Sequence, residues 1–154
     1  MNELTFDAQS ESDTDRLGAA LAAVLPPGTT VALVGTLGAG KTRLVQAIAA
    51  GCGVPREEVV SPTFVLCQEY EGARTIHHLD AYRLRDEDEF RELGVEELFH
   101  SGGLTIIEWA DRVAGCLPDE RVEIAIEVTG ETQRRFRIRT IGDRLDSAIS
   151  KLAR

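Results

Sequence analysis

Eight consecutive residues, Gly35-Thr36-Leu37-Gly38-Ala39-Gly40-Lys41-Thr42, satisfy the pattern G-x-x-x-x-G-K-[ST]. Holding a chain of phosphates demands these residue types at this spacing. Glycines let the backbone curl close to the ligand, so that successive N–H groups of residues such as Gly38, Ala39 and Gly40 point into one anion-sized hollow. A helix that starts there adds the attraction of its dipole. Lys41 supplies a mobile positive charge for the β- and γ-phosphates, and the Thr42 hydroxyl can coordinate Mg²⁺.

Such a loop works with an acidic element at the end of a neighbouring strand, which holds the metal's water shell and orients an attacking water. Two acids stand in that position: Asp80 after Thr75-Ile76-His77-His78-Leu79, and Glu108 after Leu104-Thr105-Ile106-Ile107. Each alone reads equally well as a solvated strand-end carboxylate. Parallel strands, however, deliver their C-terminal ends to one edge of the sheet, which brings both acids to the loop. Ser61-Pro62-Thr63-Phe64 reads either as a loop whose Thr63 senses the γ-phosphate or as a turn set by Pro62. Trp109, the only tryptophan, is either a ring beside the metal site or core filler. His77 and His78 face opposite ways on their strand, and neither is assigned as a ligand. No N/T-K-x-D signature for guanine occurs, which leaves adenine as the base.

The elements that must position these residues follow from periodicity. Leu4-Thr5-Phe6 alternates as a strand, and Ser10, Ser12 and Asp13 offer caps to a helix whose Leu17, Ala20, Leu21 and Val24 share one face. Pro26-Pro27-Gly28 stops it. Thr30 to Val34 is a continuous apolar run of the kind buried in a parallel sheet, and Leu44, Val45, Ile48 and Ala49 predict a helix ending at Gly51-Cys52-Gly53. The glycine-rich loop therefore joins a buried strand to a helix, the context its chemistry requires. Strands are predicted at 64–70 and 75–79 as a hairpin turning at Glu71-Gly72, at 104–107, and at 122–128 and 135–140 joined through Gly130. Residues 86–100 are acidic and helical with a break at Gly94, and 146–152 close the chain as a helix. Together these predict an α/β, three-layer fold with a mixed, mostly parallel central sheet and a C-terminal β-hairpin, forming a single domain over 1–154.

Composition bounds the partners. The 17 Lys and Arg against 26 Asp and Glu give a net charge of −9, which repels phosphate backbones and argues against autonomous nucleic-acid binding. The dense basic stretch Arg134-Arg135, Arg137 and Arg139 reads as alternate arginines on the wet face of a strand. Three widely spaced cysteines form no metal or disulfide framework. With no apolar leader and no long apolar stretch, the expectation is a cytoplasmic protein without membrane contact.

The order and spacing of Leu37-Gly38-Ala39-Gly40-Lys41-Thr42, Ser61-Pro62-Thr63-Phe64, His78-Leu79-Asp80-Ala81-Tyr82-Arg83-Leu84, Glu92-Leu93-Gly94 and Glu108-Trp109 resemble the bacterial TsaE (YjeE) family over nearly the whole chain. The resemblance implies a P-loop NTPase that is the Mg²⁺-dependent ATPase subunit of the machinery placing threonylcarbamoyl on the adenosine beside the anticodon of tRNAs reading ANN codons. It implies TsaB and TsaD as partners, weak hydrolysis alone with stimulation by them, and tRNA held mainly by other subunits. Carried over by residue, it implies that Gly35 and the stretch Gly38, Ala39, Gly40, Lys41, Thr42 and Arg43 bind the phosphates of ATP or ADP. Thr42 and Glu108 would serve Mg²⁺, and Asp80, near the γ-phosphate, would position water, with Lys41 and Asp80 as the catalytic pair. Thr63 would belong to a switch-like loop, Trp109 would lie close to the nucleotide, and Glu11 and Thr132 would approach base and ribose. Thr36 stands where Asp or Asn is frequent, and Arg43 where a Thr hydroxyl is.

Read from the residues alone, two other functions stay open. A small-molecule kinase would use Arg83 and Arg85 as a cationic lid. A non-catalytic ATP-dependent scaffold would bind nucleotide without hydrolysis, and the role of Asp80 separates it from an ATPase.

Overall fold

The structure, a computed structural model, describes residues 2–35, 39–59, 67–82 and 84–153. Seven strands form one sheet: β1 (Asn2–Ala8), β2 (Thr30–Gly35), β3 (Cys67–Tyr70), β4 (Ile76–Asp80), β5 (Leu104–Glu108), β6 (Arg121–Val128) and β7 (Arg134–Ile141). Their order across the sheet is β1-β7-β6-β2-β5-β4-β3. Strands β6, β2, β5 and β4 are parallel to one another, while β7 runs against β6, β1 against β7, and β3 against β4. Thus β1, β2, β4, β5 and β6 point one way, and the mixed, mostly parallel sheet with a late β6–β7 hairpin is the one expected.

Helices cover both faces, which is why β2 and β5 are apolar without alternation. On one face α1 (Glu11–Val24), α2 (Lys41–Gly51) and α5 (Asp143–Ser150) pack Leu17, Leu21, Leu44 and Ile48 onto Val31, Leu33, Ile106, Ile124 and Phe136. On the other, the short helices α3 (Glu87–Arg91) and α4 (Val95–Phe99) and the 3₁₀ segment Ala110–Cys116 pack Phe90, Val95 and Val113 onto Ala32, Leu79 and Ile107.

Local chemistry sets the boundaries. Ser10 caps α1, its side chain accepting from the Asp13 N–H, and the helix ends at Leu25, before Pro26. The expected acidic helix is divided at Gly94, whose φ of 77° places it in the left-handed region between α3 and α4. The closing helix starts at Asp143, three residues earlier than its apolar spacing suggests.

The first strand is longer than its three-residue signature because it pairs along its whole length with β7, from Asn2↔Thr140 to Ala8↔Arg134. Three of the four β7 arginines lie on the wet face as expected, Arg135 pairing with Asp7 at 2.8 Å, Arg139 with Glu123 at 2.8 Å and Arg137 with Glu127 at 3.6 Å, whereas alternation puts Arg134 on the opposite face with Phe136 and Ile138. That stripe is neutralised by its neighbours. Among the described residues, no helix is long and apolar enough to cross a membrane.

Candidate nucleotide site

The site is built at the C-terminal edge of the parallel strands. Strand β2 ends at Gly35, where a Cβ would stand 2.9 Å from the Ile126 carbonyl oxygen of β6, so only glycine permits the sheet to close there. Helix α2 begins after Gly40, whose φ of 105° is again a glycine conformation. The strand–loop–helix context is therefore present. Thr36, Leu37, Gly38, Ser61, Pro62, Thr63, Phe64 and Arg83 lie outside the described residues.

Lys41 is buried, at 5% exposure. Its Nζ donates to the Gly35 carbonyl at 2.8 Å and stands 4.0 Å from the centre of the Trp109 ring. Burial draws its pKa below the ordinary lysine value, against the opposing pull of Glu108, Asp111 and Asp80. The three carboxylates offset part of the desolvation of the ammonium group.

The Thr42 Oγ1 lies 3.3 and 3.4 Å from the two carboxylate oxygens of Glu108, which is itself 3% exposed. Register places Asp80 directly opposite Glu108 on the adjacent strand. Asp80 Oδ1 accepts from the Tyr82 N–H at 2.8 Å, which fixes the carboxylate at the strand end. A hydroxyl and a carboxylate are hard oxygen donors, the set that Mg²⁺ takes, and His78 Nε2 lies 2.6 Å from Glu108 Oε2. The residues present fit the cation that the family resemblance implies.

Trp109, with φ 59°, is the one non-glycine residue in the left-handed region among the described residues. This turn ends β5 and brings the ring to Lys41 while it also packs on the edge of the Phe90–Ile107 core cluster. Tyr82 stacks on it with ring centres 4.8 Å apart, and Arg112 lies 5.2 Å from the centre of the Tyr82 ring.

Beside the start of α2 a cavity of about 140 Å³ is lined by Glu11, Thr14, Gly40, Arg43, Thr132 and Arg134, among others. Arg43 ties α2 to α1 through Asp15 at 3.0 Å and Glu11 at 3.5 Å, and Arg56 joins Asp15 at 3.2 Å. The structure thus brings Glu11, Thr132 and Arg43 together with Gly40 around one cavity, although the chain separates them widely. Arg85, half of the lid that a kinase would need, is exposed and paired with Glu89 at 2.7 Å.

Two residues are not assigned to the site from sequence: Arg134 reads as part of the wet-face stripe, and His78 is left without a role. Arg134 Nε donates to the Ala39 carbonyl at 2.9 Å and so braces the loop from the β6–β7 hairpin. The signal was available: Arg134 alternates with Phe136 and Ile138, not with Arg135, Arg137 and Arg139, and therefore faces α2. His78, fully buried, contacts Glu108, and it shares its strand face with Asp80.

A glycine-bent loop between a central parallel strand and a helix, with a buried lysine and two acids at the same sheet edge, defines a P-loop nucleotide-binding protein. The family model described as threonylcarbamoyl adenosine biosynthesis protein TsaE matches residues 8–136. The chain is 36% identical over 155 residues to the tRNA threonylcarbamoyladenosine biosynthesis protein TsaE of Bacillus subtilis (strain 168), covering 100% of this chain and 96% of that one. It is 38% identical over 131 residues to the protein of the same name from Treponema pallidum (strain Nichols), covering 85% and 96%. The crystal structure of Bacillus subtilis YdiB superposes with a TM-score of 0.83 at 29% identity, covering 99% of this chain and 95% of that one. The chain belongs to the TsaE family.

Proposed function

We propose that the chain is the ATP-hydrolysing subunit that drives threonylcarbamoyladenosine formation in tRNAs reading ANN codons, acting with TsaB and TsaD. The biosynthetic role follows from the family, and the ATPase reading rests on one observation: Lys41, Thr42, Glu108 and Asp80 converge on a single edge of the sheet. In this reading Lys41 leaves the Gly35 carbonyl for the β- and γ-phosphates, and Arg134 holds the loop's Ala39 carbonyl in place. Backbone N–H groups of Gly38 to Arg43 complete the phosphate cradle. Thr42 and Glu108 would hold Mg²⁺, which when bound neutralises phosphate charge. Asp80, held by the Tyr82 N–H, orients the attacking water by accepting its hydrogen bond. Base and ribose occupy the cavity between Glu11 and Thr132. A chain of net charge −9 leaves tRNA to its partners. The exposed, Glu89-paired Arg85 gives no support to the kinase alternative.

The test is ATP hydrolysis by the purified chain, alone and then with TsaB, TsaD and tRNA. Slow turnover alone and stimulation by the partners is the expected result. Asp80→Asn should lower hydrolysis by about 100-fold or more, the ordinary worth of a positioned acid–base group, while ADP binding persists. Lys41→Ala should weaken both. Unchanged hydrolysis in Asp80→Asn would remove Asp80 from the chemistry and favour a scaffold.

A further inference from the structure

Beneath α2 a line of polar side chains runs across three adjacent strands, and of it the nucleotide reading above uses only Glu108. His78 on β4 is 0% exposed. Its Nε2 stands 2.6 Å from Glu108 Oε2 on β5, and its Nδ1 stands 3.2 Å from the Tyr70 hydroxyl on β3. The same hydroxyl lies 2.6 Å from Gln68 Oε1. Alternation puts Gln68, Tyr70, His78 and Asp80 on the same sheet face as Glu108, and the register sets His78 opposite Ile106, one step behind the Asp80↔Glu108 pair.

A buried carboxylate needs donors. It can only accept, so Nε2 carries the hydrogen and donates it. The contact to His78, at 2.6 Å, is much shorter than the 3.3 and 3.4 Å contacts from Thr42. His78 therefore governs the rotation of the Glu108 carboxyl group, and it does so from a ring that Tyr70 holds from its far side. With Oε2 fixed from behind, the carboxylate meets the Thr42 hydroxyl almost symmetrically through both oxygens.

We propose that His78, backed by Tyr70, is a positioning residue: it orients Glu108 towards Thr42 and thereby sets the affinity of the nucleotide complex for its divalent cation. The inference rests on the reading that Thr42 and Glu108 hold that cation. It predicts more than fold stability, because a histidine that merely fills space would leave cation affinity untouched once the protein is folded.

The experiment measures Mn²⁺ binding to the ADP complex of the whole chain by electron paramagnetic resonance, and ADP binding without metal by Trp109 fluorescence. His78→Leu should weaken Mn²⁺ binding by about 10-fold or more, the usual effect of losing a group that supports a metal ligand. His78→Gln, which keeps an N–H donor, should recover most of that loss. Tyr70→Phe, nearly isosteric, should lose part of the affinity and keeps the proposal testable if His78→Leu does not fold. Metal-free ADP affinity should stay within about twofold throughout, a difference under 0.5 kcal/mol. Parental Mn²⁺ affinity in His78→Leu, or in Tyr70→Phe where only that variant folds, overturns the proposal. A fall in metal-free ADP affinity in step with the Mn²⁺ loss overturns it as well, in favour of packing. Glu108→Gln separates the two levels of inference: if it too binds Mn²⁺ normally, the Glu108 assignment fails along with that of His78, whereas its loss beside an unaffected His78→Leu sinks the positioning role alone.

Discussion

Gly18→Ala should destabilise this protein, although the same change in an open helix stabilises it. An added Cβ on the α1 residue Gly18 would overlap the Ala47 side chain of α2 and come within 2.7 Å of the Ala47 carbonyl carbon and 2.8 Å of the Ile48 nitrogen. Ordinary carbon contacts lie near 3.5–4.0 Å, so relief requires the helices to part by about 1 Å. Helix propensity favours alanine by about 1 kcal/mol. Overpacking costs about 1–3 kcal/mol, and because two of the three obstructing atoms are backbone that cannot rotate aside, the upper part of that range applies. The net is a loss of about 1–2 kcal/mol, or a Tm lower by roughly 2–8 °C for a chain of this size. The shift also reaches the nucleotide cavity, since Glu11 and Thr14 lie on α1 while Gly40 and Arg43 lie at the start of α2. Thermal unfolding followed by circular dichroism, with ADP titration by Trp109 fluorescence, measures both effects. Adding Ala47→Gly to the variant removes the nearest obstruction but leaves the backbone contacts, so rescue should be partial, with a coupling energy above about 0.5 kcal/mol. A Tm equal to or above the parent's, with unchanged ADP affinity, would refute the close helix contact as the reason glycine stands at this position.

Two further outcomes follow from the site. Lys41 has a folded-state pKa below its unfolded value, so between those two values the unfolded chain holds the extra proton and stability contributed by this group rises with pH. The parent should therefore gain in Tm on Lys41→Met as pH climbs towards about 10.4, the ordinary lysine value; a gap that is constant or moves the other way from pH 8 upwards would show that burial does not depress this group. Arg134→Ala removes the donor to the Ala39 carbonyl and should weaken ADP binding roughly fivefold, about 1 kcal/mol for a partly exposed charged hydrogen bond, while leaving secondary structure by circular dichroism unchanged.

Much of this was legible because local signals and tertiary demands agree. The Val31–Val34 run reads as a buried strand since helices cover both of its faces, and Gly35 to Thr42 carries its own phosphate chemistry. The edge pairing of β1 with β7 was not legible. It joins the two ends of the chain, Asn2 with Thr140, and nothing in a three-residue alternation names so distant a partner. The two-helix form of residues 87–99 was half legible, as a break at Gly94 whose left-handed φ separates the helices.

His78 and Arg134 fall between these cases, and the reason they do is geometric. Strand alternation alone assigns His78 to the face of Asp80, and Arg134 to the face of Phe136. What alternation cannot give is which helix covers that face, nor the register that sets His78 one step behind the Asp80↔Glu108 pair. Once α2 is known to lie there, the buried imidazole of His78 has to find a partner among the acids beside the phosphate loop, and the half-buried Arg134 divides its donors between the Ala39 carbonyl and the carbonyls of its own hairpin. The nucleotide site is thus one face of the sheet read at its carboxyl edge. Its supporting residues are the polar side chains that break an otherwise apolar alternation on that face.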